Sequence, residues 1–231
     1  MKMNAKCTVD IRLLLDECIF LPYNIQEHGI IRMIVDDYLE HGTILTEREI
    51  MYRGLGYLYN NVKHLSEGMY GACEGGHLEL VELMISKGAI DWNGGLCAAC
   101  GGGHLELVQM MISKGADHWN RGLCGACKGG QLELVELMIF KGADNWNWGL
   151  LEACEGGHIT LAELMISKGA NDWDWGLCCA CEGGHLKLVE LMISNGATDW
   201  NWGLYGARSG RRLELVELMI SKGATEYNDN V

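Results

Sequence analysis

The sequence predicts an all-α solenoid of stacked helix–turn–helix repeats, in which each unit packs only on its neighbours. Three observations carry this. From about Gly68 the chain copies itself every 27 residues, with Cys73, Cys100, Cys127, Cys154 and Cys181 as anchors and Arg208 in the sixth place. An alanine precedes each anchor, at Ala72, Ala99, Ala126, Ala153, Ala180 and Ala207, and a glycine closes each unit, at Gly88, Gly115, Gly142, Gly169, Gly196 and Gly223. Between these marks lie two apolar stretches of helical spacing separated by Gly-Gly pairs. Six units without insertion occupy residues 68–231.

One unit, Gly122 to Trp146, shows the elements in order. Leu123, Ala126 and Cys127 fall at i, i+3 and i+4 and make an apolar helical face. Gly129-Gly130 ends that helix, because glycine takes the left-handed C-cap conformation without steric cost. A second helix follows, with Leu132, Val135, Leu137, Met138 and Ile139 apolar and Glu133 and Glu136 polar, and it stops at Gly142-Ala143. Small Ala and Cys on the first helix admit close approach between units, while Leu, Met and Ile of the second fill the core.

The 231 residues include 32 Gly, 11 Cys, 12 Met and 8 Trp but one proline, Pro22, and the net charge is −13. That charge repels a phosphate backbone, so nucleic acid is excluded as a partner. No apolar run reaches the length of a membrane span, and Met1 to Asp10 lacks the apolar core of a secretory signal. The expected setting is therefore intracellular and reducing (cytoplasm or nucleus, including that of a host cell), with the cysteines as thiols.

Gly76 to Ala89, reading Gly-His-Leu-Glu-Leu-Val-Glu-Leu-Met-Ile-Ser-Lys-Gly-Ala, resembles the second half of an ankyrin repeat, and Leu96-Cys97-Ala98-Ala99 resembles its first helix. The likeness recurs six times. An ankyrin unit has about 33 residues, and the shortfall here corresponds to the β-hairpin finger. Trp-Gly or Arg-Gly stands where that family has Thr-Pro. The Asp-Trp-Asn-Trp-Gly-Leu flavour of the linkers is similar to shortened ankyrin-type repeats of large DNA viruses. The resemblance implies a finger-less ankyrin-like solenoid and adaptor work through protein contacts. Ordinary ankyrin fingertips share the binding groove with the first helices, so loss of the finger alters that mode.

Residues 1–67 depart from the repeat. Thr46 and Glu49 form a capping box before a helix-compatible run to about His64, and Gly29 to Gly42 has the pattern of a decayed second helix. Ile11 to Leu15 is a further helical piece. The segment reads as a helical N-terminal cap that seals the first repeat, with Leu21-Pro22 offering the alternative of a degenerate recruitment module of the F-box type.

Cys-x-x-Cys occurs at Cys97/Cys100, Cys124/Cys127 and Cys178/Cys181, but Tyr70, Leu151 and Tyr205 interrupt the series, so no ligand set repeats. Buried small hydrophobes explain these cysteines better than a metal, and none is expected. His77, His104, His158 and His185 open the second helices, with Gln131 and Arg212 in the same slot. A group repeated so regularly builds the repeat, and the resemblance implies that it hydrogen-bonds loop backbone between neighbours. Trp92, Trp119, Trp146, Trp173 and Trp200 form one ladder, placed in the linkers and read as structural. Trp148, Trp175 and Trp202 form a second, confined to later linkers and read as exposed contact residues. Asn93, Asn120, Asn147, Asp174 and Asn201 are placed to pair loop backbone.

No catalytic set, Walker loop, dinucleotide fingerprint or cofactor site is present. The expected function is a non-enzymatic interaction scaffold or adaptor, the alternative a structural or virion-associated self-assembling protein. Contact residues are sought where units differ within a fixed frame: Tyr70, Glu74, His118, Lys128, Trp148, Glu152, Glu155, Trp175, Glu182, Trp202 and Tyr205. A partner with a basic surface fits their charge. Arg208, Arg211 and Arg212 mark the last unit as a polar cap, expected to face solvent.

Overall fold

The computed structural model describes residues 65–86 and 88–225. The N-terminal cap, its capping box at Thr46 and Glu49, and the recruitment-module alternative lie outside these residues. Twelve helices alternate in pairs: α1 Leu65–Gly75, α2 Leu78–Ser86, α3 Trp92–Gly102, α4 Leu105–Ser113, α5 Trp119–Gly129, α6 Leu132–Lys141, α7 Trp146–Gly156, α8 Ile159–Lys168, α9 Trp173–Gly183, α10 Leu186–Asn195, α11 Trp200–Ser209 and α12 Leu213–Ser221. No strand occurs among the described residues. The architecture is the all-α stack of helix–turn–helix repeats that the sequence predicts, with no hairpin finger among the described residues.

The chain divides into two compact units, one of Met1–Ala99 with Glu106–Gly115 and one of Cys100–Leu105 with Ala116–Val231. In the first, Met69, Ala72, Cys73, Val81, Met84, Leu96, Ala99, Val108 and Met111 are fully buried. Gly95 is required there, because a Cβ would press on the Met111 sulfur and approach Cys73.

The second unit stacks successive first helices along α5, α7, α9 and α11, with the second helices against them. Leu123, Ala126, Cys127, Val135 and Met138 are fully buried, and their counterparts recur down the stack. Backbone sets the spacing: a Cβ at Gly129, Gly156, Gly183 or Gly210 would collide with the carbonyl oxygen of Gly101, Lys128, Glu155 or Glu182 respectively. Gly206 meets the Cys178 carbonyl in the same way. First helices therefore touch main chain to main chain, which only glycine permits.

The tryptophans of the first ladder are not in linkers. Each is the first residue of a first helix, four residues earlier than the Leu-x-x-Ala-Cys pattern marks it. The reason is local capping. Asn145 Oδ1 accepts from the Trp148 amide at 3.1 Å, Asp199 Oδ1 accepts from the amides of Asn201 and Trp202, and Asp91 accepts from Gly94 at 2.9 Å. At α3, α7 and α11 these side chains satisfy amides that a helix start leaves orphaned, whereas α5 and α9 begin at the same residue with no side-chain cap from His118 or Asp172.

Candidate functional site

Two backbone-bonding ladders hold the frame of the second unit and leave one ridge free for variation. The first is built on the second residue of each first helix. Asn120 Oδ1 accepts from the amides of Asp144 and Asn145 at 2.9 and 3.0 Å. Asn147 does the same for Asn171 and Asp172 at 2.7 and 3.1 Å, and Asp174 for Thr198 and Asp199 at 2.7 and 2.8 Å. Asn201 accepts from Thr225 at 2.9 Å. In Asn120, Asn147 and Asp174 one acceptor thus clamps two amides of the following linker, the loop-backbone pairing that the placement of these residues predicts.

The second ladder is the histidine slot. His158 Nε2–H donates to the Lys128 carbonyl at 3.0 Å and His185 Nε2–H to the Glu155 carbonyl at 3.1 Å. A carbonyl oxygen only accepts, so each imidazole carries its proton on Nε2 in these bonds. Arg212 Nε repeats the contact to Glu182 at 3.3 Å, whereas Gln131 turns back to Gly129 within its own unit. These imidazoles join neighbouring repeats.

The thiols are equally structural. Burial pushes Cys73, Cys127, Cys154 and Cys181 up to about 12 and Cys178 to about 11, far from a reactive thiolate. Among the described residues no three His, Cys, Asp or Glu side chains converge as metal ligands, and no helix is long and apolar enough to cross a membrane.

The variable ridge runs over α5, α7, α9 and α11. Residues 128, 155, 182 and 209 occupy one column. Lys128 Nζ binds Glu155 Oε1 at 2.6 Å and stands 3.8 Å from Glu152 Oε2. The Ser209 hydroxyl donates to Glu182 Oε1 at 2.8 Å. Burial raises the Glu152 carboxyl above its ordinary range, opposed by the charge of Lys128 and by a hydrogen bond from Trp148. At the N-terminal end of the same faces Trp148, Trp175 and Trp202 are 42, 49 and 42 % exposed, and Tyr205 is 64 % exposed. Trp175 and Trp202 stack at 5.2 Å between centroids and 25° between planes, and Tyr205 meets Trp202 edge to face at 5.9 Å and 82°.

The structure thus gathers Lys128, Trp148, Glu152, Glu155, Trp175, Glu182, Trp202 and Tyr205 on the faces of four successive helices. His118 is the exposed N-cap residue of α5, 4.0 Å from the Asp117 carboxylate. Tyr70 and Glu74 belong to the other compact unit, where both are half-buried. The Tyr70 hydroxyl donates to Asp91, and its ring fills the space that Gly94 leaves. The first-ladder tryptophans are half-buried, with Lys141 Nζ 5.7 Å above Trp119 and Lys222 Nζ 5.6 Å above Trp200. Ring-to-ring stacking occurs instead in the second ladder, between Trp175 and Trp202. Sequence reading passed over Phe140, which is 85 % exposed. Its signal is visible in the repeat, since Ser86, Ser113, Ser167, Ser194 and Ser221 hold that place elsewhere.

No family model matches the sequence, and no curated protein matches it. Among solved structures, the human ASB11 ankyrin repeat domain is similar at 23 % identity, over 68 % of this chain and 84 % of that one, with a TM-score of 0.44.

Proposed function

We propose that the chain is a non-enzymatic scaffold or adaptor that binds a protein partner through the first-helix and linker face of its repeats. The observation that carries this reading is the row of Trp148, Trp175, Trp202 and Tyr205, large rings held at the surface by helices whose frame needs none of them there. Tryptophan and tyrosine on a rigid support contribute contact area at low entropic cost, as binding hot spots do. His118, Lys128, Glu152, Glu155 and Glu182 supply the polar surround, and Tyr70 and Glu74 are assigned to the same class of contact in their own unit. The acidic balance favours a basic partner surface. Buried, high-pKa thiols support work in a reducing intracellular compartment. The Asp-Trp-Asn-Trp-Gly-Leu helix starts support an origin among the shortened ankyrin-type proteins of large DNA viruses.

Crosslinking mass spectrometry in the native source, comparing wild type with a Trp148→Ala, Trp175→Ala, Trp202→Ala variant, tests the reading. A stoichiometric partner is expected to crosslink near α7, α9 and α11 and to be lost in the variant. Crosslinks that join only copies of this chain, with a concentration-dependent mass by light scattering, would instead mark a self-assembling protein.

A further inference from the structure

The column that crosses the first helices changes character along the second unit. On α5 it carries Arg121 and Lys128, on α7 Trp148 and Glu155, on α9 Trp175 and Glu182, on α11 Trp202, Tyr205 and Ser209. The chain itself shows what the acidic part of this column accepts: an ammonium, that of Lys128, sits on Glu155 one repeat on. One repeat further, Glu182 accepts from the Ser209 hydroxyl at 2.8 Å. Beside it lies the aromatic cluster. Tyr205 and Ser209 are four residues apart on α11, and one helical turn is about 5.4 Å, so the Tyr205 ring lies within a side chain's reach of the carboxylate that Ser209 holds. Trp175 and Glu182, seven residues apart, share a face of α9 at a distance of two turns, about 10.5 Å, which the Trp202 and Tyr205 rings bridge.

We propose that Trp175, Trp202, Tyr205 and Glu182 form a pocket-like patch that receives an arginine side chain of a partner protein. The inference deepens the interaction-face reading and rests on it. A ring face attracts a cation through its quadrupole, and a carboxylate beside it completes the charge balance. Arginine fits better than lysine, because a planar guanidinium can lie on Tyr205 while its edge donates in a fork to Glu182, with Trp202 set edge to face against that ring. The Trp175–Trp202 stack fixes the rings before binding, which lowers the ordering cost. The partner's arginine would do at Glu182 what Lys128 does at Glu155.

The test uses the full chain and synthetic Gly/Ser peptides bearing evenly spaced arginines, with lysine, leucine and citrulline versions of the same length. Citrulline keeps the shape of arginine and removes its charge. Titrations are followed by the indole N–H resonances of Trp175 and Trp202 and by tryptophan emission. The arginine peptide is expected to shift both resonances and to bind more tightly than lysine, with citrulline weakest. Glu182→Gln and Tyr205→Ala are each expected to weaken it by about threefold or more, as losing a charge partner or a cation–ring contact does. Equal binding of arginine and citrulline, or unchanged affinity in both variants, overturns the proposal. If the leucine peptide binds and is lost on removing Trp175 and Trp202, the interaction face stands and the arginine pocket falls. If no peptide shifts either indole and the Trp148→Ala, Trp175→Ala, Trp202→Ala variant keeps its crosslinked partner, both readings fall.

Discussion

Replacing Asn147 by alanine removes the acceptor that holds the linker between α8 and α9. Two amides, Asn171 and Asp172, lose their bonds of 2.7 and 3.1 Å to a single oxygen. A net hydrogen bond contributes about 0.5–1.5 kcal/mol, and both amides are exposed enough to turn to water, so the pair should account for about 1–2 kcal/mol. Asn147 is the second residue of α7, where alanine's better propensity returns a few tenths of a kcal/mol, roughly, and the measured cost is net of that gain. With a urea slope of about 2–3 kcal/mol/M the midpoint should fall by about 0.5 M. Hydrogen exchange gives the sharper readout: the amides of Asn171 and Asp172 should speed up by about tenfold for each 1.4 kcal/mol, with distant helices less affected. The control is written in the repeat itself. Asp174 performs the same task with bonds of 2.7 and 2.8 Å, so Asn147→Asp should stay within about 0.5 kcal/mol of wild type. If alanine and aspartate variants are equally stable, the clamp contributes nothing and the coupling between repeats must reside in the apolar contacts alone.

Ala126 is fully buried, so Ala126→Leu should overpack the stack and cost about 1–3 kcal/mol in denaturant melts, while exposed Glu133→Ala leaves the midpoint in place. Arg211 is the one non-glycine among the described residues with positive φ, at 56°, where preceding units place glycine; Arg211→Gly should gain about 1 kcal/mol, the left-handed strain of about 1–3 kcal/mol offset by glycine's greater chain entropy, and calorimetry should show a raised Tm. Because Arg212 makes the contact that His158 and His185 make, His185→Arg should melt like wild type and His185→Ala should melt earlier. Burial raises the folded thiols from 9.0 to about 12 at Cys127 and Cys154, so maleimide labelling of the native chain should be slow near neutral pH; stability from these groups is complete below 9.0 and is lost as pH rises through 9 toward 12, since only the unfolded thiols ionise there, and urea melts at successive alkaline pH values should show the decline.

The repeat was legible because its anchors are packing necessities. Alanine and cysteine recur where first helices meet, glycine recurs where a side chain would strike backbone, and Leu, Val and Met recur where the core closes; each is a local constraint that survives in a one-dimensional pattern. The polar clamp was also legible, since Asn120, Asn147, Asp174 and Asn201 recur at one position. Helix starts were not. The Leu-x-x-Ala-Cys face marks only the buried part of each first helix, while its first turn faces outward and is defined by the caps Asn145 and Asp199, whose polarity looks like linker. Asp91, Asn145 and Asp199 act as caps, although nothing in their spacing along the chain separates them from loop residues. The pairings along the ridge were hidden for a different reason. Lys128 meeting Glu155, or Trp175 lying on Trp202, depends on the sideways distance between helices that no spacing along the chain reports.

That distance has a consequence for how such a molecule can change over generations. The separation of one first helix from the next is fixed by glycine against carbonyl oxygen, and its alignment by an amide clamp, so neither depends on what the outward column displays. Inheritance can rewrite the display, from Lys128 to Glu155 to Glu182 to Ser209, without disturbing the ruler beneath it. The units of α7 and α9 could likewise be copied or excised as cassettes, because each carries a two-amide clamp, a closing glycine and an imidazole join to its neighbour. A lengthened or shortened descendant would then present a new reading surface on an old lattice, and novelty in recognition would come without a search for a new fold.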